Sequence, residues 1–257
     1  MSQPLSARDN VGSLRKGLDV MEILAAHPAG LTLTDTANKA GLTRAGARRF
    51  LLTLVATGYA IQSGRCFSLS PRLLSLARTW LEGASLSTYA EPFMRQVAAS
   101  LNESCSIAVL SGEDVVYVAR VPGPHVLSVA LRLGSRLPAW CTSMGRVLLA
   151  DFAEPQLRGF LAEANIRPKT TKSVTDRELL LAKIGEVARA GFTIVDEELE
   201  IGLRSIAVPI RDRSGKAVAA INASTHSSRQ SCEAMERHFL PHLRRAARSI
   251  EDYFAIN

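Results

Sequence analysis

The stretch LTLTDTANKAGLTRAGARRFLLTLVATGYAIQSGRCFSL, Leu31–Leu69, decides how the first part of the chain folds. A short helix is predicted over Thr34–Ala40. Thr32 or Thr34 caps it, because a threonine hydroxyl accepts a free N–H of the first turn. Gly41-Leu42 makes the turn, with glycine just past the helix end. A longer helix begins at about Thr43. Its apolar residues Ala47, Phe50, Leu51, Leu54 and Val55 follow the helical period, and Gly58 ends it. Two short alternating runs then flank Ser63-Gly64 and read as a β-hairpin. Upstream, Leu14, Leu18, Met21 and Leu24/Ala25 recur at helical spacing until Pro28 and Gly30 interrupt. Helix, helix–turn–helix, hairpin is the order of a winged helix-turn-helix.

The third helix of that module has the length and charge to enter a major groove with its first residues near base edges. Thr43, Arg44, Ala45 and Arg48 are the expected base or near-base contacts. Arginine reaches guanine bidentately, and alanine or threonine can touch a thymine methyl. Arg15, Lys16, Arg49 and the hairpin's Arg65 are expected on phosphates, which set register and affinity. Thr32 and Thr34 complete the DNA-facing set. The charge balance agrees. Residues 1–76 hold nine Lys/Arg and four Asp/Glu, a net +5 of the chain's total +7. A small basic module on a larger near-neutral one is the electrostatic outline of a nucleic-acid-binding head.

After Pro71, the residues Leu73, Leu76, Ala77, Trp80 and Leu81 predict a connecting helix that ends near Gly83. The remaining two thirds alternate strands and helices. Helices are predicted over Ala90–Leu101, from Pro138 through Met144–Asp151, after Glu154-Pro155, over Thr175–Ala190 and over Ser231–Tyr253. Thr175 with Glu178 has capping-box spacing. Strands are predicted at Cys105–Leu110, Val115–Arg120, Leu127–Leu133, Phe192–Val195, Ser205–Ile210 and Ala217–Ala223. Such an order implies an antiparallel sheet flanked by helices, an α+β class.

The chain has 257 residues, 47% of them hydrophobic and 21% charged, an ordinary globular composition. No apolar run is long enough for a membrane span. The start MSQPLSARDN does not read as a signal peptide. Cys66, Cys105, Cys141 and Cys232 form no CxxC pair, which fits a reducing cytoplasm rather than a zinc ribbon or a disulfide framework. Phosphate-binding glycine loops, GxSxG and HExxH are absent. Cys141 has no marked histidine partner and reads as a packed thiol. His238 and His242 read as surface residues, and Asp196, Glu197, Glu198 and Glu200 as a loop rim or ion-pair cluster. No catalytic group, metal or cofactor is expected. The rival reading is a metabolite-binding protein or enzyme whose basic head only oligomerises.

Two segments, LPAWCTSMGRVLLA (Leu137–Ala150) and DEELEIGLRSIAVPIRDRSGKAVAAINAS (Asp196–Ser224), together with the head and connecting helix, resemble the IclR family of bacterial transcription regulators. The likeness spans nearly all of residues 12–254. The wording TSMGRVLLA and GLRSIAVPI is similar to the branch that controls protocatechuate, β-ketoadipate and 4-hydroxybenzoate genes. The resemblance implies a winged helix-turn-helix at 12–72, a linker helix at 73–89 and a GAF-like effector domain at 90–257. It also implies homodimers or tetramers on a palindromic double-stranded DNA operator, and a small carboxylic acid as effector. Carried over by position, the effector site comprises Trp140, Cys141, Thr142, Ser143 and Met144 at a helix start, Asp196, Leu203 and Ser205, then Asn222 and Ser224 on the last strand. Members of the family often carry an alanine-like residue where Met144 stands and a cysteine where Ser205 stands. Those departures count against the family's best-known small ligands here.

Overall fold

The computed structural model describes residues 11–75, 86–124 and 131–256, without the side chains of 254–256. It divides into two compact units between residues 84 and 85.

The first unit holds α1 (Gly12–Ala25), β1 (Leu31–Thr32), α2 (Leu33–Lys39), α3 (Arg44–Ala56), β2 (Ala60–Ser63) and β3 (Cys66–Leu69). Its three strands form an antiparallel sheet in the order β1-β3-β2. Of the two threonines predicted to cap α2, Thr32 does so. Its Oγ1 accepts from the Asp35 N–H at 3.2 Å and donates to the Asp35 carboxylate at 2.6 Å. Thr43 caps α3 in the same way through the Gly46 N–H at 3.1 Å. Val20 and Leu24 of α1, Leu51 and Leu54 of α3, and Phe67 of β3 make the core. Leu14 and Leu18, expected on the buried stripe of α1, are 62% and 51% exposed. The helix carries two apolar stripes, and only the one through Val20 and Leu24 meets α3.

Residues 72–75 continue the chain as helix. The rest of the predicted linker core, Leu76, Ala77, Trp80, Leu81 and Gly83, lies outside the described residues.

The second unit runs α4 (Leu86–Leu101), β4 (Ser104–Ser111), β5 (Asp114–Val121), β6 (Arg136–Pro138), a 3₁₀ turn (Ala139–Cys141), α5 (Ser143–Leu149), α6 (Glu154–Glu163), α7 (Arg177–Ala190), β7 (Thr193–Asp196), β8 (Leu203–Arg211), β9 (Ala217–His226), α8 (Cys232–His238) and α9 (Leu240–Ile256). Six strands form one antiparallel sheet in the order β6-β5-β4-β9-β8-β7. Strand alternation separates its faces. Cys105, Ile107, Ile206, Val208, Ile221 and Ala223 point to one side, where α4 and α9 cover them. Ala108, Tyr117, Ala207 and Ala220 point to the other, under α5, α6 and α7. Bulky β-branched residues fill the first side. Alanines and serines line the second, and they leave room beneath α5.

Three expectations change. The predicted strand Leu127–Leu133 lies partly outside the described residues. Its remainder, Leu131–Leu133, is a loop leading into a turn at Gly134, where φ is 81°. The edge strand is instead Arg136–Pro138, too short and too proline-bound for an alternation pattern. Helix α7 is capped by Asp176, which accepts from the Leu179 N–H at 2.8 Å, and not by Thr175. The Glu178 carboxylate pairs with Arg158 at 2.8 Å and is not free to close a capping box. The single helix predicted over Ser231–Tyr253 is two, α8 and α9. Pro241 lacks an N–H and its ring crowds the carbonyl four residues back, so the first helix stops before it.

Candidate functional site

The head presents a charged face. Arg44, Ala45, Arg48 and Arg49 are exposed on α3, while Ala47, Leu51 and Leu54 turn inward. Thr43, at the α3 start, and Thr34, on α2, are also exposed, and Thr32 is half-buried under its cap bond. Arg15 and Lys16 stand exposed on α1, and Arg65 follows the positive-φ Gly64 at the hairpin tip. None of these six cations takes part in an ion pair among the described residues, so each is available to an external anion.

In the second unit a cavity lies between the sheet and the start of α5. Cys141, Thr142, Ser143 and Met144 wall it from above. Leu203 and Ser205 on β8, with Asn222 and Ser224 on β9, form its floor. Sequence reasoning missed Tyr117, Leu131, Val195 and Leu199, which supply the apolar rim. Val195 and Tyr117 had a signal, since each alternates onto the cavity face of its strand. Leu131 and Leu199 are loop residues and gave none.

Two residues assigned to the site by resemblance sit elsewhere. Trp140 is 1% exposed and packed in the core behind the cavity, its indole N–H without a partner. Asp196 follows Val195 on β7 and therefore points to the opposite side of the sheet. There its carboxylate pairs with Arg204 Nε at 2.7 Å.

The polar groups inside are few and specific. Ser143 Oγ and Ser205 Oγ share a hydrogen bond of 2.8 Å, helix to strand. Asn222 Nδ2 donates to Ser224 Oγ at 3.2 Å, and Asn222 Oδ1 is buried with no partner. The free volume is about 20 Å³, room for about one water.

The wall is held from outside the cavity. Arg146 of α5 is 2% exposed and bidentate to Glu198, at 2.8 and 2.6 Å, while its Nε donates to the Trp140 carbonyl at 2.9 Å. Glu198 also accepts from the Val174 N–H at 3.2 Å. The neighbouring Glu197 takes a positive φ of 57°. Its carboxylate pairs with Lys172, and accepts from the Gly202 N–H and the Ser227 hydroxyl. These contacts hold it at about 2, well below the ordinary carboxylate range, with the Lys172 bond as the largest cause. Glu197 and Glu198 thus brace the β7–β8 loop. Gly145 permits the close packing of the 3₁₀ turn on α5. A Cβ there would lie 2.2 Å from the Ala139 carbonyl oxygen.

Burial pushes the Cys141 thiol up to about 12 and the Tyr117 phenol to about 12, the latter against the lowering pull of Arg120. Cys141 is therefore a protonated wall residue near neutral pH and not an activated nucleophile. His238, at the end of α8, is exposed and His242, on α9, is half-buried; neither lines the cavity.

Residues 78–252 match the family described as bacterial transcriptional regulator IclR C-terminal, and residues 13–64 match the IclR helix-turn-helix domain. The chain is 40% identical to the Pca regulon regulatory protein of Pseudomonas putida, over 94% of this chain and 84% of that one. It is 30% identical to the p-hydroxybenzoate hydroxylase transcriptional activator of Acinetobacter baylyi, over 98% of this chain and 94% of that one. The crystal structure of an IclR homolog complexed with 4-hydroxybenzoate from Microbacterium hydrocarbonoxydans superposes with a TM-score of 0.83. That pair is 27% identical and covers 95% of this chain and 100% of that one. No helix among the described residues is long and apolar enough to cross a membrane. A basic helix-turn-helix head joined to a sheet domain with an internal cavity, matched over both parts, places this chain in the IclR family of DNA-binding bacterial transcriptional regulators.

Proposed function

We propose that this regulator controls an aromatic-acid catabolic operon in response to a small carboxylic acid held in the cavity beneath α5. The observation that carries this reading is the cavity's make-up. An apolar rim surrounds a few hydroxyls and an unpartnered amide oxygen, the pattern of a small-molecule site. The relatives that act on pca and p-hydroxybenzoate genes, and the neighbour that holds 4-hydroxybenzoate, support the aromatic class.

With only about 20 Å³ free, a ring enters by displacing Met144, Leu199 or Leu131 and by parting Ser143 from Ser205. Ligand binding therefore changes how α5 sits on the sheet. An effector shifts the protein between arrangements only through different affinity for each, and the α5–β8 contact is where that difference arises. The head, residues 12–72, then reads a palindrome in a homodimer or tetramer, joined through 73–89 to the effector domain at 90–257. Thr43, Arg44, Ala45 and Arg48 face the bases. Arg15, Lys16, Arg49 and Arg65 take phosphates, flanked by Thr32 and Thr34. The protein works in the cytoplasm and catalyses no reaction.

Thermal unfolding of the full chain with protocatechuate, 4-hydroxybenzoate, β-ketoadipate, catechol, gallate and pyruvate tests this. A ligand at a hundred times its Kd stabilises the effector domain by about 2.7 kcal/mol. An upward shift with an aromatic acid is expected. A shift with none of the aromatic acids removes aromatic catabolism from the reading.

A further inference from the structure

We propose that Arg120 is the carboxylate anchor of this cavity, so that its ligand is a hydroxylated carboxylic acid lying across β4 and β9 with its acid group toward β5. The proposal rests on the effector reading above and assigns a residue that neither the sequence pattern nor the cavity wall includes.

The sheet register places it. Arg120 pairs with Ser106, Ser106 with Asn222, and Asn222 with Ala207. One residue pair along, Ser104 faces Ser224, and Ser224 faces Ser205. All of these alternate onto the cavity side. One polar row thus runs from β5 to β9 and the other from β4 to β8, and the guanidinium, bonded to Ser106 and Ser104, reaches the outer end of both. Neighbouring strands are about 4.8 Å apart, so β5 lies about 14 Å from β8. An arginine side chain reaching inward leaves a single substituted ring's length of that span.

Arg120 lacks the partner its charge calls for. It is half-buried, and its Nη1 and Nη2 reach only the Ser106 and Ser104 hydroxyls at 3.3 and 3.4 Å. A guanidinium on a carboxylate sits at about 2.7–2.9 Å. Arg146 and Arg204 in the same domain each have such a carboxylate, Glu198 and Asp196. Arg120 has none among the described residues. Glu103, adjacent in sequence to Ser104, turns to the opposite face and bonds Thr225 and Arg229. At the inner end of the row, Asn222 Oδ1 is buried without a donor. One end of the row wants an anion and the other a hydroxyl. The field of Arg120 also reaches Tyr117 on the cavity rim and lowers its phenol against burial. A hydroxybenzoate supplies an anion, a donor and a flat apolar body together.

Calorimetric titration of the full chain tests this, using 4-hydroxybenzoate, protocatechuate, β-ketoadipate and 4-hydroxybenzamide, the neutral isostere of the first. Wild type is expected to bind the acid at least about tenfold tighter than the amide. In Arg120→Gln the Kd for the acid rises about thirtyfold or more, while that for the amide moves less than about threefold. Arg120→Lys, which keeps the charge but not the fork, lies between. An acid preference that survives Arg120→Gln overturns the proposal and leaves the effector reading standing, and so does a wild type that binds amide and acid alike. If only β-ketoadipate binds, the aromatic reading and the hydroxylated ligand both fall, and the anchor role of Arg120 is judged by the loss of that acid in Arg120→Gln. Binding of nothing in the panel overturns both. Should Arg120→Gln not fold, the wild-type acid-to-amide ratio together with Arg120→Lys decides.

Discussion

Ser143 Oγ lies 2.8 Å from Ser205 Oγ, and this bond joins the first residue of α5 to the middle of the sheet floor. It is buried, and it crosses the cavity proposed above for the effector. On the proposed function, the two residues form a latch that an effector opens. Ser205→Leu fills the floor with an apolar side chain where the free volume is about 20 Å³. The expected outcome is loss of the effector's thermal shift and of its effect on operator affinity. Affinity for the operator without effector stays within about threefold of wild type, because the head folds around its own core. Fluorescence anisotropy with labelled operator, with and without effector, reads both. An effector response preserved in Ser205→Leu would remove the latch.

Arg48 and Arg49 are both exposed on α3, one helical step apart, and they are expected to differ in kind. Arg48→Ala should weaken the cognate operator by about tenfold to a hundredfold and relax base preference at one position of each half-site. Arg49→Ala should weaken cognate and scrambled duplexes by similar factors and lower the log–log salt slope by about 0.9 for each phosphate left without its cation. Titrations at several salt concentrations on both duplexes separate the two. Equal behaviour of the variants would mean that both arginines sit on phosphates.

The head was legible in the sequence because its signals are local. Caps, a glycine turn and one helical stripe lie within a short stretch: Thr32, one of the two threonines offered as the α2 cap, forms that bond, and Thr43, read only as the start of α3, caps that helix as well. Ser205, Asn222 and Ser224 entered the candidate site through the family resemblance, and strand alternation agrees with their shared place on the cavity floor. The cavity was not legible where alternation had to be counted across strands. Asp196 adjoins Val195, yet one residue of offset sends it to the other side of the sheet, onto Arg204. Arg120 escaped notice for the related reason that its relation to Asn222 passes through β4. Leu199 reaches the cavity from a loop held by the long-range pairs of Glu197 and Glu198, and Leu131 from a loop held by backbone bonds between Tyr117 and Gly134 and Ser135. Leu14 and Leu18 misled because an apolar stripe reports burial only when something packs on it.

Arg146 and Glu198 form a bidentate pair, 2% and 8% exposed, that ties α5 to the β7–β8 loop. Removing one partner strands a charge in the core, so Arg146→Met or Glu198→Leu should cost about 3–5 kcal/mol. The double variant Arg146→Met/Glu198→Leu should recover most of that loss, since an apolar pair of similar volume avoids desolvating both ions. Urea unfolding followed by a signal from the effector domain measures all three. Additive losses in the double variant would show that the two side chains act independently.

Glu197 gives the loop a definite acid response. Its carboxyl is lowered from an ordinary 4.5 to about 2, first by Lys172, then by the Gly202 N–H and the Ser227 hydroxyl. A group held below its unfolded value contributes stability in full above the unfolded pKa and loses it as pH falls through the folded one. For Glu197 the contribution is complete above about 4.5 and fades toward 2. Glu197→Gln keeps an acceptor for Gly202 but cannot ionise. It should be less stable than wild type at pH 7, and the gap should close as pH drops from about 4.5 toward 2. Unfolding midpoints across that range, wild type against variant, give the comparison. Because Leu199 lies two residues beyond Glu197 and lines the cavity, effector affinity should fall in the variant at neutral pH while operator binding without effector holds. A gap independent of pH would show that the carboxylate's charge does not brace the loop.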